Sequence, residues 1–350
     1  MNRWRTAALI WLASGLVLFP HTVAGQQASE VTRLLQPNHQ TKFSALLDGG
    51  LSRWDKSYLV TYGFNGTPDA SSSKPSIIAY DRTGNVFREA TVWLNNSERV
   101  SVGDAAVTKN GKLVVTGSAL DSKGVIADFV ASIGDDGHLD KVIRTSPFLP
   151  VYVASCDAEG TVWIYGKERY VPDRGIPNVL RLRNYSFEKG ELAAMLEISG
   201  SDPGWTLTGG KYADQISLRC NSQTVVLYNA ATGEYINYEV KTKNLRTIKV
   251  GPLDPAKVHI TGFALTESGD VFASLFYRSK LPRMSGLFKL TLDGKGGAYW
   301  VPISATVGPY FPGGQIERLL GTDGTDLVHT RKLDGEAYWS EVGKHSLPAQ

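Results

Sequence analysis

The chain has 350 residues, with 37 Lys+Arg against 34 Asp+Glu for a formal charge of +3, and 42% apolar and 20% charged residues. That balance is too neutral for a protein built to grip nucleic acid or an anionic membrane surface, and the apolar content excludes a disordered chain. The 36 Gly and 15 Tyr against 3 Met favour strands and turns over helices.

Residues 1–25 read as an export signal. Arg3 and Arg5 precede an apolar run over residues 7–19, Pro20 ends it, and Val23-Ala24-Gly25 offers a cleavage site before Gln26. The rival reading is a membrane anchor, but the run is shorter than the roughly 18–20 residues needed to span a bilayer. No Cys follows the cleavage position, so a lipid anchor is not expected there. Loss of the leader brings the charge to about +1. The expectation is an exported protein, periplasmic or secreted, monomeric, with no integral membrane segment after cleavage.

Residues 30–343 read as one domain, followed by a short tail over 344–350. No segment sustains helical periodicity; short β-branched and aromatic runs alternate with Gly, Asp and Asn turns. One pattern recurs: a strand, a tight polar turn usually containing Gly, and a strongly β-prone strand. It occupies residues 105–115, 154–164, 263–272 and 318–328, and a shorter version without Gly occupies 218–226. Four residues before each turn glycine stands Val107, Cys156, Leu265 or Leu320, an apolar column that belongs in the core. A second hairpin follows in each unit, as at residues 77–87 and 129–139, so each unit is expected to be a four-stranded antiparallel meander.

Six units fit, over about 43–93, 102–145, 151–197, 213–250, 258–303 and 315–343, at spacings of about 45–60 residues. The last has three strands, and Glu30–Leu35 is the candidate for its fourth. A strand borrowed in this way closes a ring and removes an exposed edge. On this layout the chain resembles six-bladed β-propellers of the NHL/TolB-like type over residues 30–343. The expected fold is all-β, a six-bladed propeller whose last blade is closed by an N-terminal strand. A seven-bladed propeller and a pair of β-sandwiches are the rival architectures.

The resemblance implies that loops from second to third strands, and from blade to blade, open on one face. The former span Phe64–Ser76, Gly166–Asn178 and Tyr277–Gly286, and carry Lys74, Lys167, Arg169, Tyr170, Arg174, Arg278, Lys280 and Arg283. The latter add Phe148, Tyr152, Trp205, Tyr212, Tyr310 and Phe311. Aromatics beside Arg can stack on sugars or peptides, and the guanidinium forks hold carboxylate or phosphate. Lys167, Arg169, Tyr170, Arg174, Trp205, Tyr212, Arg278, Arg283 and Tyr310 are therefore the candidate ligand-binding set. The ligand would be a protein segment, a glycan or a small anionic molecule, not nucleic acid.

Enzyme signatures are weak. There is no GxSxG, HExxH or Walker loop, and Ser71–Lys74 matches SxxK without its companions. Asp135-Asp136 sits in a hairpin turn, where Asp is favoured for its own sake. Some propellers of similar layout hold calcium or zinc in the central channel. An alternative reading is accordingly a metal-dependent hydrolase, lactonase or lyase using Asp104, Glu317 and His259. Hard cations want more oxygen ligands than two carboxylates supply, so no cofactor is expected.

Cys156 and Cys220 end two strand-like runs. They are either separate buried thiols, which the apolar column at Cys156 favours, or a bridge between neighbouring repeats, which an oxidising compartment permits. Two cysteines without CxxC cannot make a tetrahedral zinc site alone.

Overall fold

The computed structural model describes residues 35–43, 51–64, 74–156, 161–168, 180–198, 216–230, 232–251, 258–277, 283–308, 318–330 and 336–345. Among these residues lie twenty-four strands and no helix. None of them forms a helix long and apolar enough to cross a membrane.

β1 (Leu35–Lys42) pairs with the last strand of the chain. β2 (Leu51–Asp55), β3 (Tyr58–Phe64), β4 (Pro75–Tyr80) and β5 (Val86–Thr91) make an antiparallel meander in chain order. So do β6 (Ser97–Val107), β7 (Leu113–Asp121), β8 (Ile126–Ile133) and β9 (Leu139–Arg144), and then β10 (Phe148–Ser155), β11 (Thr161–Glu168), β12 (Leu180–Ser186) and β13 (Gly190–Ile198). An eight-stranded sheet follows. Its halves are β14 (Ile216–Cys220), β15 (Thr224–Asn229), β16 (Glu234–Glu239) and β17 (Asn244–Gly251), then β18 (Val258–Leu265), β19 (Val271–Tyr277), β20 (Arg283–Leu292) and β21 (Ala298–Gly308). The outer strands β17 and β21 join in parallel at Val250↔Ala298 and Gly251↔Tyr299. β22 (Arg318–Asp323), β23 (Asp326–Thr330) and β24 (Glu336–His345) complete the chain, and β1 adds to the free side of β24.

The turns after the first strands explain the sequence repeat. After β6, the Thr108 hydroxyl accepts from Lys112 N at 2.9 Å while Thr108 N donates to Lys112 O at 2.8 Å, and Gly111 takes φ 80°. Thr266, Asp270 and Gly269 repeat this arrangement after β18. The hydroxyl closes the loop and the glycine supplies the left-handed residue.

Each first strand meets the next unit through a different link. Tyr62 OH donates to Gly103 O at 3.0 Å, tying β3 to β6, and Asp104 on β6 accepts from Val153 N on β10 at 3.0 Å. Cys156 just beyond β10 and Cys220 on β14 form a disulfide. Asn221 Nδ2 donates to Thr266 O at 2.9 Å, joining the turns that follow β14 and β18. Arg318 on β22 donates through Nε to Thr261 O on β18 at 2.8 Å. The series returns to its start at Gly321, where a Cβ would lie 2.2 Å from Trp54 O on β2, so only glycine admits that approach. Sheets that contact in succession around a closed circuit, through β3 and β6 at the first junction and through first strands at the others, define a β-propeller.

Its apolar core lies between successive units rather than on the axis. Six clusters each combine residues from two neighbours, for example Trp54, Leu59 and Tyr80 with Leu320, Val328 and Trp339, or Val226 and Tyr228 with Phe263 and Leu275. Inner strands are buried on both faces, as the wholly buried β4 shows, whereas the outer strands β5, β9 and β17 are largely exposed.

That gradient accounts for one correction. The closing strand was expected at Glu30–Leu35; it is Leu35–Lys42, and only Leu35 is shared. An outermost strand needs no apolar alternation, and LQPNHQTK is exposed over most of its length. Pro37 fits there because an edge strand need not donate from every residue, and the register shifts on either side of it. Residues 30–34 lie outside the described residues. Unit boundaries move by a few residues as well: the second begins at Ser97 rather than 102, and the fifth extends to Gly308.

Candidate functional site

The inner wall carries charges that an apolar-column analysis does not flag. On β2, Arg53 is 6% exposed and donates through Nη1 to Asp104 Oδ2 and to Val153 O, both at 3.0 Å. Its Nη2 lies 3.4 Å from Asp55 Oδ2, which also accepts from Val107 N at 3.0 Å. Asp104 is equally buried and fully engaged. Oδ2 takes Arg53 and Val153 N; Oδ1 takes Ala105 N at 2.9 Å and the Tyr62 hydroxyl at 3.4 Å. Burial alone works against the Arg53 cation, but Asp104 and Asp55 more than offset it, so its pKa lies above the ordinary guanidinium value. Burial, then the Asp104 charge, raises the pKa of Tyr62 well above that of a free phenol.

Arg219 on β14 is treated differently. It is half-buried, and its one described hydrogen bond runs from Nη1 to Leu218 O at 2.7 Å, with no carboxylate in ion-pair contact among the described residues. Burial first, and Arg53 second, push its pKa down to about 10. Arg318 also has its pKa lowered by burial, and it spends Nε on a backbone carbonyl.

Arg219 faces a cavity of about 820 Å³ bordered by the turns between first and second strands. Lys56 and Lys109 stand on the turns after β2 and β6, while Glu267 and Asp270 lie opposite on the turn after β18. Asp270 is paired with Lys289 at 2.9 Å, and Glu267 accepts from Ser222 Oγ at 3.4 Å. Leu265 and Phe272 supply apolar wall.

The predicted ligand-binding residues are only partly described. Lys167 lies at the end of β11, opposite Leu149, inside the strand rather than in a loop. Arg283 is likewise a strand residue, the first of β20, opposite Gly308. Phe148 is core, 1% exposed, with the Arg183 guanidinium 4.5 Å from its ring. Arg169, Tyr170, Arg174, Trp205, Tyr212, Arg278 and Tyr310 lie outside the described residues, as does Glu317. His259 stands on β18, opposite Phe276. Of the alternative catalytic set, Asp104 has both carboxylate oxygens taken by internal donors. No group of three or more potential metal ligands occurs among the described residues. The cysteines of the wall are joined, 64 residues apart in sequence, so the bridge rather than the separate-thiol reading holds.

A signal for Arg53 and Arg219 does exist in the sequence. Counted back one residue from the core position that closes each first strand, the units present Arg53, Ala106, Ser155, Arg219, Ala264 and Leu319. Two arginines in a column otherwise small or apolar mark a break in the pattern.

No protein-family profile and no curated relative matches the chain. Among solved structures it is similar to the β-propeller domain of the trilobed protease from Pyrococcus furiosus, at 10% identity over 92% of this chain and 97% of that one, with a TM-score of 0.45. It is also similar to a polysaccharide lyase of family PL25, an ulvan lyase, at 9% identity over 85% and 80%, with a TM-score of 0.43. A third is a putative 6-phosphogluconolactonase from Bacteroides uniformis, at 12% identity over 83% and 97%, with a TM-score of 0.41. Likenesses this distant carry no activity across.

Proposed function

We propose that this chain is an exported, monomeric six-bladed propeller that binds a small anionic ligand, rather than an enzyme. The eight-stranded sheet counts as two blades, since its halves are separate meanders touching through two residue pairs of their outer strands. The leader-like residues 1–25 and the Cys156–Cys220 bridge both suit an oxidising, extracytoplasmic compartment. The NHL/TolB-like layout of the repeats fits the same count.

The observation that carries the ligand class is the charge balance of the inner wall. Arg53, Arg219 and Arg318 stand on first strands, and the acids nearest them, Asp55 and Asp104, are consumed by Arg53 and backbone donors. Among the described residues the surplus is cationic, and the sequence adds Arg169, Arg174 and Arg278 in the segments between second and third strands. A thermal-shift screen of small carboxylates and phosphates at low ionic strength tests this. Ligands that bind the native state raise the unfolding temperature in proportion to concentration over Kd. A panel that leaves the midpoint unchanged, while neutral glycans or peptides raise it, would refute the anionic class.

A further inference from the structure

We infer that the cavity at the mouth bordered by the first-to-second-strand turns is the ligand site, with Arg219 gripping the carboxylate or phosphate head of a small organic anion and Lys56 and Lys109 completing its charge complement. This rests on the reading of the chain as an anion-binding propeller, and it moves the site to the mouth opposite the long second-to-third-strand loops.

Three independent features converge there. First, there is room: a partly open cavity of about 820 Å³ suits a small molecule and combines polar with apolar walls. Second, its acids and bases are unequally engaged. Asp270 has Lys289, Asp323 accepts from Trp339 Nε1 at 3.0 Å and lies 3.5 Å from Arg82, and Asp55 has Arg53. Lys56, Lys109 and Arg219 have no carboxylate in ion-pair contact among the described residues. Third, Lys56 adopts φ 59° as the first residue of a two-residue hairpin turn, where glycine or asparagine is ordinary. A side chain kept at that backbone cost, pointing charge at the same cavity, is consistent with a task there.

Arg219 is suited to the central part. Its Nη1 is steered by Leu218 O, which fixes the fork, while the rest of the guanidinium has no described partner. Desolvation first, and repulsion from Arg53 second, hold its pKa down at about 10 against the partial offset of Asp104 and Asp55, so an incoming anion relieves an existing penalty. Paired donors on a preoriented plane then bind carboxylate or phosphate in bidentate fashion. Leu265 and Phe272 offer contact to an apolar body, and Glu267, held by Ser222 Oγ at 3.4 Å, is the acid of the lining with no cation in ion-pair contact among the described residues.

Calorimetric titration of the disulfide-intact protein with citrate and with inorganic phosphate, at low ionic strength, decides the matter. The expected result is one-site binding of at least one probe, weakened on the order of tenfold by Arg219→Gln and by a smaller factor by Arg219→Lys, which keeps the charge but loses the fork. Arg246→Gln, on the exposed strand β17, should change nothing. Undiminished binding in Arg219→Gln overturns this site while leaving an anion-binding propeller intact. Binding of neither probe to the wild type overturns both. Should Arg219→Gln fail to fold, the exposed-turn pair Lys56→Asn and Lys109→Gln takes its place: unchanged affinity in that variant rejects the site equally.

Discussion

Between β2, β6 and β10 the inner wall is held by a buried ion network, whereas between β10 and β14 it is held by a covalent bond. At the first junction Arg53 ties three strands through Asp104 and Val153 O, and every charge is answered within the wall. At the second, Cys156–Cys220 makes the tie and leaves the adjacent Arg219 with a single backbone bond. The difference shows how one wall can serve two ends. Where polar groups supply cohesion, none remains to meet a ligand; where a disulfide supplies it, a cation is left over at the cavity.

Breaking the polar junction should have the largest effect. Asp104→Asn leaves Arg53 buried beside an uncharged amide, and loss of one partner of a buried pair costs about 3–5 kcal/mol. Urea unfolding should report that loss; a change under 1 kcal/mol would mean that water reaches Arg53 and that the network is not the tie described. The covalent junction comes next. Cys156→Ser with Cys220→Ser opens a loop with a sequence separation of 64, for an expected loss of about 2–4 kcal/mol. Equal unfolding midpoints with and without reductant would show instead that the packing around Trp163 and Tyr238 suffices to hold the two units.

The gentlest probe is pH. Tyr62, Tyr185, Tyr228, Tyr235 and Tyr238 all have pKa values raised by burial, that of Tyr228 to about 12. In the unfolded chain phenols ionise near 10, so the folded state holds more protons above that pH and their contribution is lost as pH climbs from 10 through the folded values. Arg219 and Arg318 act in the opposite sense over the same range, since their cations are the disfavoured form when folded. Five phenols outweigh two guanidinium groups, and stability should fall above pH 10. Absorbance titration should show these phenolates appearing together with unfolding; smooth ionisation near pH 10 in the native state would contradict the burial described.

Much of this was legible beforehand. The repeat of strand, polar turn and strand revealed the meanders, because inner strands must be apolar on both faces and Thr–Gly turns leave a local signature at Thr108–Gly111 and Thr266–Gly269. The connections between second and third strands were placed from the propeller resemblance; β4 begins close to the expected limit, whereas β11 runs on through Glu168 and β20 begins at Arg283, so Lys167 and Arg283 belong to strands. The closing strand was misplaced by most of its length because an outermost strand carries no apolar requirement, so LQPNHQTK looks like a loop. The buried Arg53 and the cavity-facing Arg219 were passed over, although both interrupt an otherwise small or apolar column, because a charge in a strand reads as a solvated face until its neighbours are known.

The sequence by itself determined the all-β class, the recurring four-stranded meander, and the need for an N-terminal segment to complete the last sheet. These follow from local rules: side-chain alternation, turn chemistry and the penalty of an open edge. Only the tertiary structure decided which residues share the inner wall, that Cys156 reaches Cys220, and that Asp104 belongs to Arg53 while Arg219 belongs to a cavity. Those pairings join residues dozens of positions apart, and their energies depend on burial and on which other charges and donors are near, which no local pattern encodes.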